Sequence, residues 1–304
     1  MGAVRDEQLS RATIPREVTE RLTTRDGRTL AYHRSGSGPT LVCHPGGPGF
    51  SSLYLADLAG LGDELELVLL DPRGTGGSDP APDPRAYAIA DYASDVEDLR
   101  EHLGLEQLLL LGHSHGGVVA VEYAASQPDR VERLILASTI AHQGPEQAAA
   151  MEQAVEARKD EPWHADAVDA LQTELQGSFA NGRELMELAR RMMPLYYADY
   201  GEREQQHVAS LAGDSLCVDA TRLWEKEIWE QFDLRPLLPS LTMPTLVITG
   251  EQDFITGPVC AAELTEGIPA PETVVLSGVG HMTFVEGPER FREAVLSFLF
   301  GARA

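Results

Sequence analysis

The segment Leu108–Gly117, which reads LLLLGHSHGG, constrains the fold of this chain more than any other. Its four consecutive Leu are typical of a buried strand, and the residues that follow Gly117, VVAVEYAAS, have a helical pattern. Between them, Ser114 stands in the pattern G-x-S-x-G. At a strand–turn–helix junction this pattern is a nucleophile elbow, in which a sharp turn lifts the Ser hydroxyl out of the backbone. The sequence therefore predicts Ser114 as a nucleophile at the end of a buried strand.

Apolar strand patterns alternate with helical patterns on both sides of this segment. Further strands are predicted at 17–24 and 28–34 (a hairpin turning at Asp26-Gly27), 39–44, 65–71, 133–139, 244–250 and 272–278. Helices are predicted at 50–62, after a capping Asp91, at 116–126 and at 288–300. Continuously apolar strands separated by helices are buried on both faces, so this pattern predicts an α/β protein with a mostly parallel central sheet covered by helices.

The alternation stops between the strands at 133–139 and 244–250, where the patterns are helical. This stretch contains all three Trp and the run MMPLYYADY at 192–200. We interpret it as a helical cap inserted over the carboxyl edge of the sheet, where ligands bind in open α/β sheets. The predicted division is core 1–139, cap 140–239 and core 240–304. Aromatic residues of such a cap form either its own core or a pocket wall, and the candidates for substrate contact are Trp224, Trp229 and Tyr196.

Two further polar residues follow the last two predicted strands. Asp253 comes after the first of these strands and His281 after the second, so both are expected at the same edge as Ser114. A Ser hydroxyl becomes nucleophilic only with an adjacent base, and the base needs an orienting carboxylate. The sequence therefore predicts a catalytic triad of Ser114, Asp253 and His281, with Glu251 as the alternative carboxylate.

Acyl transfer through such a triad also needs N–H donors for the oxyanion of the tetrahedral intermediate. One donor is expected from the backbone of His115, directly after the nucleophile. The Gly-rich loop HPGGPG at 44–49 is expected to supply the second, from Gly47 or alternatively from Gly46. This mechanism needs no metal or organic cofactor. The nearby pair of His at 113 and 115 is expected to diverge across the elbow rather than bind a metal.

Composition limits the partners of the chain. The formal net charge of −24 argues against nucleic acid and anionic membranes, which attract clustered Lys and Arg. This acidity either serves solubility or, less favoured, reflects a pocket for cations. The three widely spaced Cys indicate reduced thiols, and neither a signal segment nor a membrane span is apparent. We therefore expect a cytoplasmic protein that acts on a small molecule or short peptide, with its oligomeric state open.

Five motifs of the chain resemble one family. They are HPGGPG, DPRGTGGSDP, GHSHGG, GEQDFITG and GHMTFVEGPERF, and the similarity extends over residues 25–138 and 240–300. Together they resemble α/β-hydrolases of the proline iminopeptidase-like branch. Two details differ from the family: His115 stands where many members have Trp, and Pro45 is inserted in the Gly-rich loop. The resemblance implies an α/β-hydrolase fold and an aminopeptidase that releases an N-terminal residue from short peptides or amides.

Peptidases of this kind hold the free α-amino group of the substrate with carboxylates of the cap. By this resemblance Glu225, which follows Trp224, is the candidate amine ligand; alternatively, Glu225, Glu227 and Glu230 form a solvated helix face. Two other functions remain open: an esterase or lactonase acting on a small hydrophobic metabolite, and a binding protein without catalysis. Ser rather than Asp at the elbow argues against an epoxide hydrolase or dehalogenase. In DPRGTGGSDP, the side chains of residues 71, 73 and 79 are expected to brace loops.

Overall fold

A single eight-stranded sheet forms the centre of the computed structural model, which describes residues 18–301 of the chain. Residues 1–17, where the sequence shows no signal segment, lie outside the described residues. The strands are β1 (Val18–Thr23), β2 (Thr29–Gly36), β3 (Thr40–His44), β4 (Glu66–Leu70), β5 (Leu108–His113), β6 (Val131–Ala137), β7 (Thr245–Gly250) and β8 (Glu272–Leu276). Their order is β1-β2-β4-β3-β5-β6-β7-β8. β2 is antiparallel to both of its neighbours, and every pair from β4 to β8 is parallel. The predicted N-terminal hairpin and the mostly parallel sheet are confirmed.

Helices cover both faces of this sheet. They are α1 (Ile89–His102), α2 (His115–Ser126), α3 (Pro145–Glu156), α4 (His164–Leu175), α5 (Gly182–Met192), α6 (Glu202–Ser210), α7 (Val218–Leu223), α8 (Pro258–Gly267), α9 (Thr283–Glu286) and α10 (Pro288–Phe300). Helices α3 to α7 all lie between β6 and β7, and this segment, residues 138–244, is called the cap below. Within residues 18–301, none of the helices has the length and apolarity to cross a bilayer.

Alternate residues of the central strands enter two separate cores. In β5, Leu108 and Leu110 pack in the core under α1, α2 and α8, whereas Leu109 and Leu111 pack in the core under α6 and α10. Because the side chains of a strand alternate between the two faces of a sheet, a strand buried on both sides must be continuously apolar. This explains the run of four Leu before the elbow.

Two local predictions are wrong. The segment 50–62 is not an α-helix but contains two short 3-10 turns, Ser52–Leu55 and Leu61–Asp63. Ala56, Leu58 and Ala59 have φ values of 51°, 46° and 62°, which no α-helix accommodates. The apolar spacing of this segment therefore reflects loop residues packed on the sheet.

The predicted cap of α1 is also displaced. The N-cap position is occupied by Ala88, three residues before Asp91. The Asp91 carboxylate reaches back to accept the Ala88 N–H at 3.0 Å. Asp91 thus stabilises the first turn of the helix from inside it, as the acidic half of a capping box does.

Candidate active site

Ser114 occupies a sharp turn between β5 and α2. Its backbone angles are φ 55° and ψ −124°, a conformation that is strained for a residue with a side chain. The turn depends on close backbone approach on its helix side. A Cβ on Gly116 would lie 2.2 Å from the carbonyl oxygen of His44, so only Gly lets α2 begin against the Gly-rich loop. The geometry is that of the predicted elbow.

Asp253 and His281 lie together at the same edge, in the loops that follow β7 and β8. His281 Nδ1 is 2.9 Å from Asp253 Oδ2, and both side chains are buried. Burial alone would raise the pKa of Asp253. The His281 imidazole and hydrogen bonds from Thr256 outweigh it, so that the pKa of Asp253 is lowered overall. The alternative carboxylate, Glu251, is exposed and accepts the Gly278 N–H. The geometry therefore favours Asp253 as the partner of His281.

Thr256 is a residue of this site that the sequence analysis missed. Its Oγ1 donates to Asp253 Oδ2 at 2.8 Å and lies 3.1 Å from His281 Nδ1. The backbone N–H groups of Ile255 and Thr256 both bond to Asp253 Oδ1 at 3.0 Å. The signal in the sequence is a hydroxyl three residues after an Asp in a turn.

Replacing Thr256 with Val should lower kcat/KM about 10-fold, because the hydrogen bond from its hydroxyl to a charged carboxylate is worth about 1.5–3 kcal/mol. Hydrolysis of a neutral p-nitrophenyl ester measures the effect. Thr265→Val is the control, since the Thr265 hydroxyl bonds to the Ala261 carbonyl in a helix that does not line the pocket. Equal kcat/KM in the two variants would show that the hydrogen bond from Thr256 to the Asp253 carboxylate contributes nothing to catalysis.

Ser114 and His281 both line one pocket between the sheet edge and the cap. It encloses about 1170 Å³ of empty space, part of it open to solvent. Within residues 18–301, no hydrogen bond joins the Ser114 hydroxyl to His281. Catalytic hydrogen bonds of this kind are often long without substrate and shorten when it binds. Apolar lining side chains include Val118, Ile140, Met151, Leu171, Met192, Met193 and Leu211.

The Gly-rich loop lies directly against Ser114. A Cβ on Gly46 would lie 2.7 Å from Ser114 Cβ. The Gly46 N–H donates to the Tyr54 hydroxyl at 2.5 Å and is therefore occupied. Gly47 and His115 line the pocket, and their N–H groups make no hydrogen bond to any described residue. Gly47 rather than Gly46 is thus placed to be the second oxyanion donor.

The imidazoles on either side of Ser114 point to different neighbours. His113 Nδ1 is 2.7 Å from the Tyr54 hydroxyl. The ring of His115 packs edge-on against Trp224, with 4.7 Å between the ring centroids. Burial lowers the pKa of His113 to about 3 and that of His115 well below its usual value. The two rings diverge across the elbow, as the sequence predicts.

The charged residues of DPRGTGGSDP hold loops together and do not line the pocket. Asp71 accepts hydrogen bonds from the N–H and hydroxyl of Ser52 at 3.0 and 2.7 Å. Arg73 Nε lies 2.7 Å from Asp95 Oδ2. Asp79 accepts from the backbone of the hairpin. Their predicted bracing role agrees with these contacts.

The cap brings two carboxylates to the pocket. Glu225 lies in a π-helical turn, Trp224–Ile228, and burial raises its pKa to about 7. Glu174, at the end of α4, was not predicted; burial and then the charge of Glu225 raise its pKa to about 8. No cationic side chain of the described residues forms an ion pair with either carboxylate. Of the predicted solvated face, only Glu227 and Glu230 are exposed.

The signal that marks Glu174 in the sequence is its place on an apolar stripe. Ala167, Ala170, Leu171 and Glu174 recur at helical spacing in α4, and the two Ala are fully buried. A carboxylate at such a position is costly to bury unless it has a partner.

The aromatic candidates of the cap line the same pocket. They are Trp224, Trp229 and Tyr196. Trp224 and Trp229 are 5.8 Å apart between ring centroids, and Tyr196 packs edge-on against the His281 ring at 5.3 Å. Trp224 is also part of a hydrophobic core. These residues therefore act both as cap core and as pocket wall.

The chain belongs to the α/β hydrolase fold family, whose sequence profile matches residues 39–288. It is 25% identical over 288 residues to the proline iminopeptidase of Saccharolobus solfataricus, a match that covers 88% of this chain and 87% of that protein. It is also 31% identical over 268 residues to the polyketide synthase ThaQ of Burkholderia thailandensis, covering 88% of this chain but only 12% of the synthase. Among solved structures, the enol-lactonase from Burkholderia xenovorans LB400 has a TM-score of 0.68 and 27% identity, with 92% and 99% of the two chains covered.

Proposed function

We propose that the protein is a serine hydrolase that cleaves amides or esters of acyl groups bearing a free ammonium, and most specifically an aminopeptidase of the proline iminopeptidase type. The observation that carries this proposal is the pair Glu174 and Glu225, which share an apolar pocket with Ser114 and His281. Because no cation of the described residues neutralises the pair, a substrate ammonium is the partner that its charge favours. The similarity to proline iminopeptidases supports the same substrate class.

The proposed mechanism is acyl transfer in two steps. His281 Nε2 accepts the proton of Ser114 Oγ, which attacks the substrate carbonyl, and the N–H groups of Gly47 and His115 stabilise the oxyanion. The protonated His281 then gives its proton to the leaving amine or alcohol. Water, deprotonated by His281, then attacks the acyl-enzyme, and the acid is released as Ser114 Oγ takes the proton back from His281. Asp253 holds the His281 tautomer whose Nδ1–H points to the carboxylate.

An esterase or lactonase of a small hydrophobic metabolite is the second candidate. It is favoured by the apolar and Met-rich lining of the pocket and by the similarity to the enol-lactonase. Such an enzyme uses the same triad, but the charge of the two carboxylates contributes nothing to its substrate binding. In either case we expect a cytoplasmic enzyme with a small-molecule or short-peptide substrate.

Matched substrates with and without the amine distinguish the two functions. We expect kcat/KM for L-alanyl or L-prolyl p-nitroanilide to exceed that for the same anilide without the amino group by about 100-fold or more, since an ammonium paired with carboxylates in a largely apolar pocket is worth about 3 kcal/mol. Short acyl p-nitrophenyl esters report the activity of the triad alone. Turnover confined to esters, with no preference for an amine, would favour the esterase.

A further inference from the structure

Two buried Tyr–His pairs connect the cap, the Gly-rich loop and the loop of His281. The Tyr54 hydroxyl is 2.7 Å from His113 Nδ1, and the Tyr197 hydroxyl is 2.6 Å from His207 Nδ1. In each pair the opposite ring nitrogen meets a backbone carbonyl. His113 Nε2 is 3.2 Å from the His281 carbonyl oxygen, and His207 Nε2 is 2.6 Å from that of Tyr54. All four side chains are buried.

The chemistry of the partners determines the direction of these hydrogen bonds. A carbonyl oxygen only accepts, so Nε2 carries the proton in both His. Nδ1 of a neutral imidazole then accepts, and the Tyr hydroxyl donates to it. Burial keeps both rings neutral by lowering the pKa of His113 to about 3 and the pKa of His207 below its usual value.

The first pair extends directly into the proposed oxyanion hole. The Tyr54 hydroxyl donates a hydrogen bond to His113, and its oxygen at the same time accepts one from the Gly46 N–H at 2.5 Å. The resulting series runs from Gly46 through Tyr54 and His113 to the carbonyl of His281. On its other side, the N–H of His281 donates to the Tyr196 carbonyl of the cap at 2.8 Å.

We propose that Tyr54 and His113 are positioning residues that hold the Gly47 N–H and the His281 ring in register with Ser114. The proposal rests on the proposed triad. Tyr54 anchors the residue before Gly47, and His113 is the residue before Ser114, so one side-chain contact joins the two loops that flank the nucleophile. His113 also holds the carbonyl of His281, with 4.7 Å between the centroids of the two rings.

Tyr54→Phe tests this role, because it removes only the hydroxyl. The remaining ring still packs against Phe50 and Phe284. For a neutral p-nitrophenyl ester we expect kcat to fall about 10–100-fold and KM to change less than about 2-fold, since displaced reacting groups and oxyanion donors cost factors of this size. With a neutral ester, the result does not depend on whether Glu174 and Glu225 bind an amine. Ser114→Ala tests the proposed triad separately, because ester hydrolysis that survives this change does not use Ser114.

Tyr123→Phe is the matched control. It also removes the hydroxyl of a buried Tyr, but this hydroxyl donates to Glu97 at 2.7 Å, and Tyr123 does not line the pocket. We expect a decrease in Tm and a kcat within about 2-fold of the wild type, because the hydrogen bond that is lost holds neither the Gly-rich loop nor the His281 loop. If both variants lose kcat equally, the Tyr54 hydroxyl acts only on stability and the proposal is overturned.

A measurement on the wild-type protein keeps the proposal testable if Tyr54→Phe folds poorly. In the wild-type protein, ¹⁵N NMR should find His113 neutral from pH 5 to 8 with its proton on Nε2. A proton on Nδ1, or titration in this range, contradicts the series of hydrogen bonds. If Tyr54→Phe folds, a boronic acid that forms a tetrahedral adduct with Ser114 should bind to it about 10-fold more weakly or worse, while KM for the ester changes less than about 2-fold. Unchanged affinity for the boronic acid contradicts the positioning role.

Discussion

Ser114→Ala should lower kcat for every substrate of this protein by about 10⁵–10⁶-fold, because the proposed mechanism has no other nucleophile and the remaining groups only bind and polarise the carbonyl. The folded state should tolerate the change. The Ser114 hydroxyl makes no hydrogen bond within residues 18–301, and Ala at φ 55° is strained to the same extent as Ser. Tm is therefore expected to change by less than about 2 °C.

Ser138→Ala is the matched control for this prediction. Ser138 follows β6 as Ser114 follows β5, it also has a positive φ of 45°, and its buried hydroxyl has no partner among the described residues. It does not line the pocket, so its replacement should leave kcat unchanged. A fluorophosphonate probe, followed by mass spectrometry, should label the wild type and Ser138→Ala but not Ser114→Ala. Labelling at another residue, or more than a tenth of wild-type kcat in Ser114→Ala, would rule out Ser114 as the nucleophile.

The residues at the strand ends could be predicted because their positions depend on local patterns. Ser114 directly follows an apolar strand, Asp253 and His281 lie in the loops after two later strands, and the carboxyl ends of parallel strands share one edge of the sheet. Once the strands are recognised from their continuous apolarity, the three polar residues must lie at that edge. The same reasoning gives the loop of Gly46 and Gly47, which follows β3.

Glu174 and Tyr54 could not be predicted in this way, because their roles depend on contacts between distant parts of the chain. Helical spacing places Glu174 on the apolar stripe of α4, but it does not specify that this stripe faces the pocket, which follows from how the cap packs on the core. Tyr54 lies in a segment whose spacing resembles a helix, although positive φ values make it a loop. Its hydroxyl bonds to His113, which is 59 positions further along the chain. Local patterns therefore identify the proposed nucleophile and its proposed base, whereas the proposed ammonium site depends on the packing of the cap.

Replacing Glu174 and Glu225 together with Gln should remove the preference for an amine without removing hydrolysis. We expect kcat/KM for an aminoacyl anilide to fall about 10²–10³-fold, because an ammonium loses its only charged partners in a largely apolar pocket. Hydrolysis of a neutral ester should remain within about 3-fold of the wild type, since among the described residues neither carboxylate forms a hydrogen bond or ion pair with Ser114 or His281. Glu227→Gln and Glu230→Gln together are the control, because they remove the same charge from the exposed side of the neighbouring cap segment.

The pH dependence of the wild type should differ between the two substrates. The pKa values of the pair are raised to about 8 for Glu174 and about 7 for Glu225, so the pair gains negative charge between pH 6 and 9. A bound ammonium favours the ionised pair. The ratio of kcat/KM for the aminoacyl anilide to that for the neutral ester should therefore rise from pH 6 and fall again above about pH 8, where the α-amino group loses its proton. In the double Gln variant the rising part should disappear.

Raising the pH should lower the stability of the wild-type fold over the range in which it raises the preference for an amine. Because the pKa values of both Glu are higher in the folded protein than the ordinary 4.5, their protonation stabilises the fold at low pH, and this stabilisation is lost as pH rises through about 7 to 8. Gln cannot ionise, so the double variant should have nearly the wild-type Tm at pH 5 and a Tm about 3–6 °C higher at pH 8.5. A variant that keeps the amine preference, or that is less stable than the wild type at pH 8.5, would show that the two carboxylates do not form an unpaired site for an ammonium.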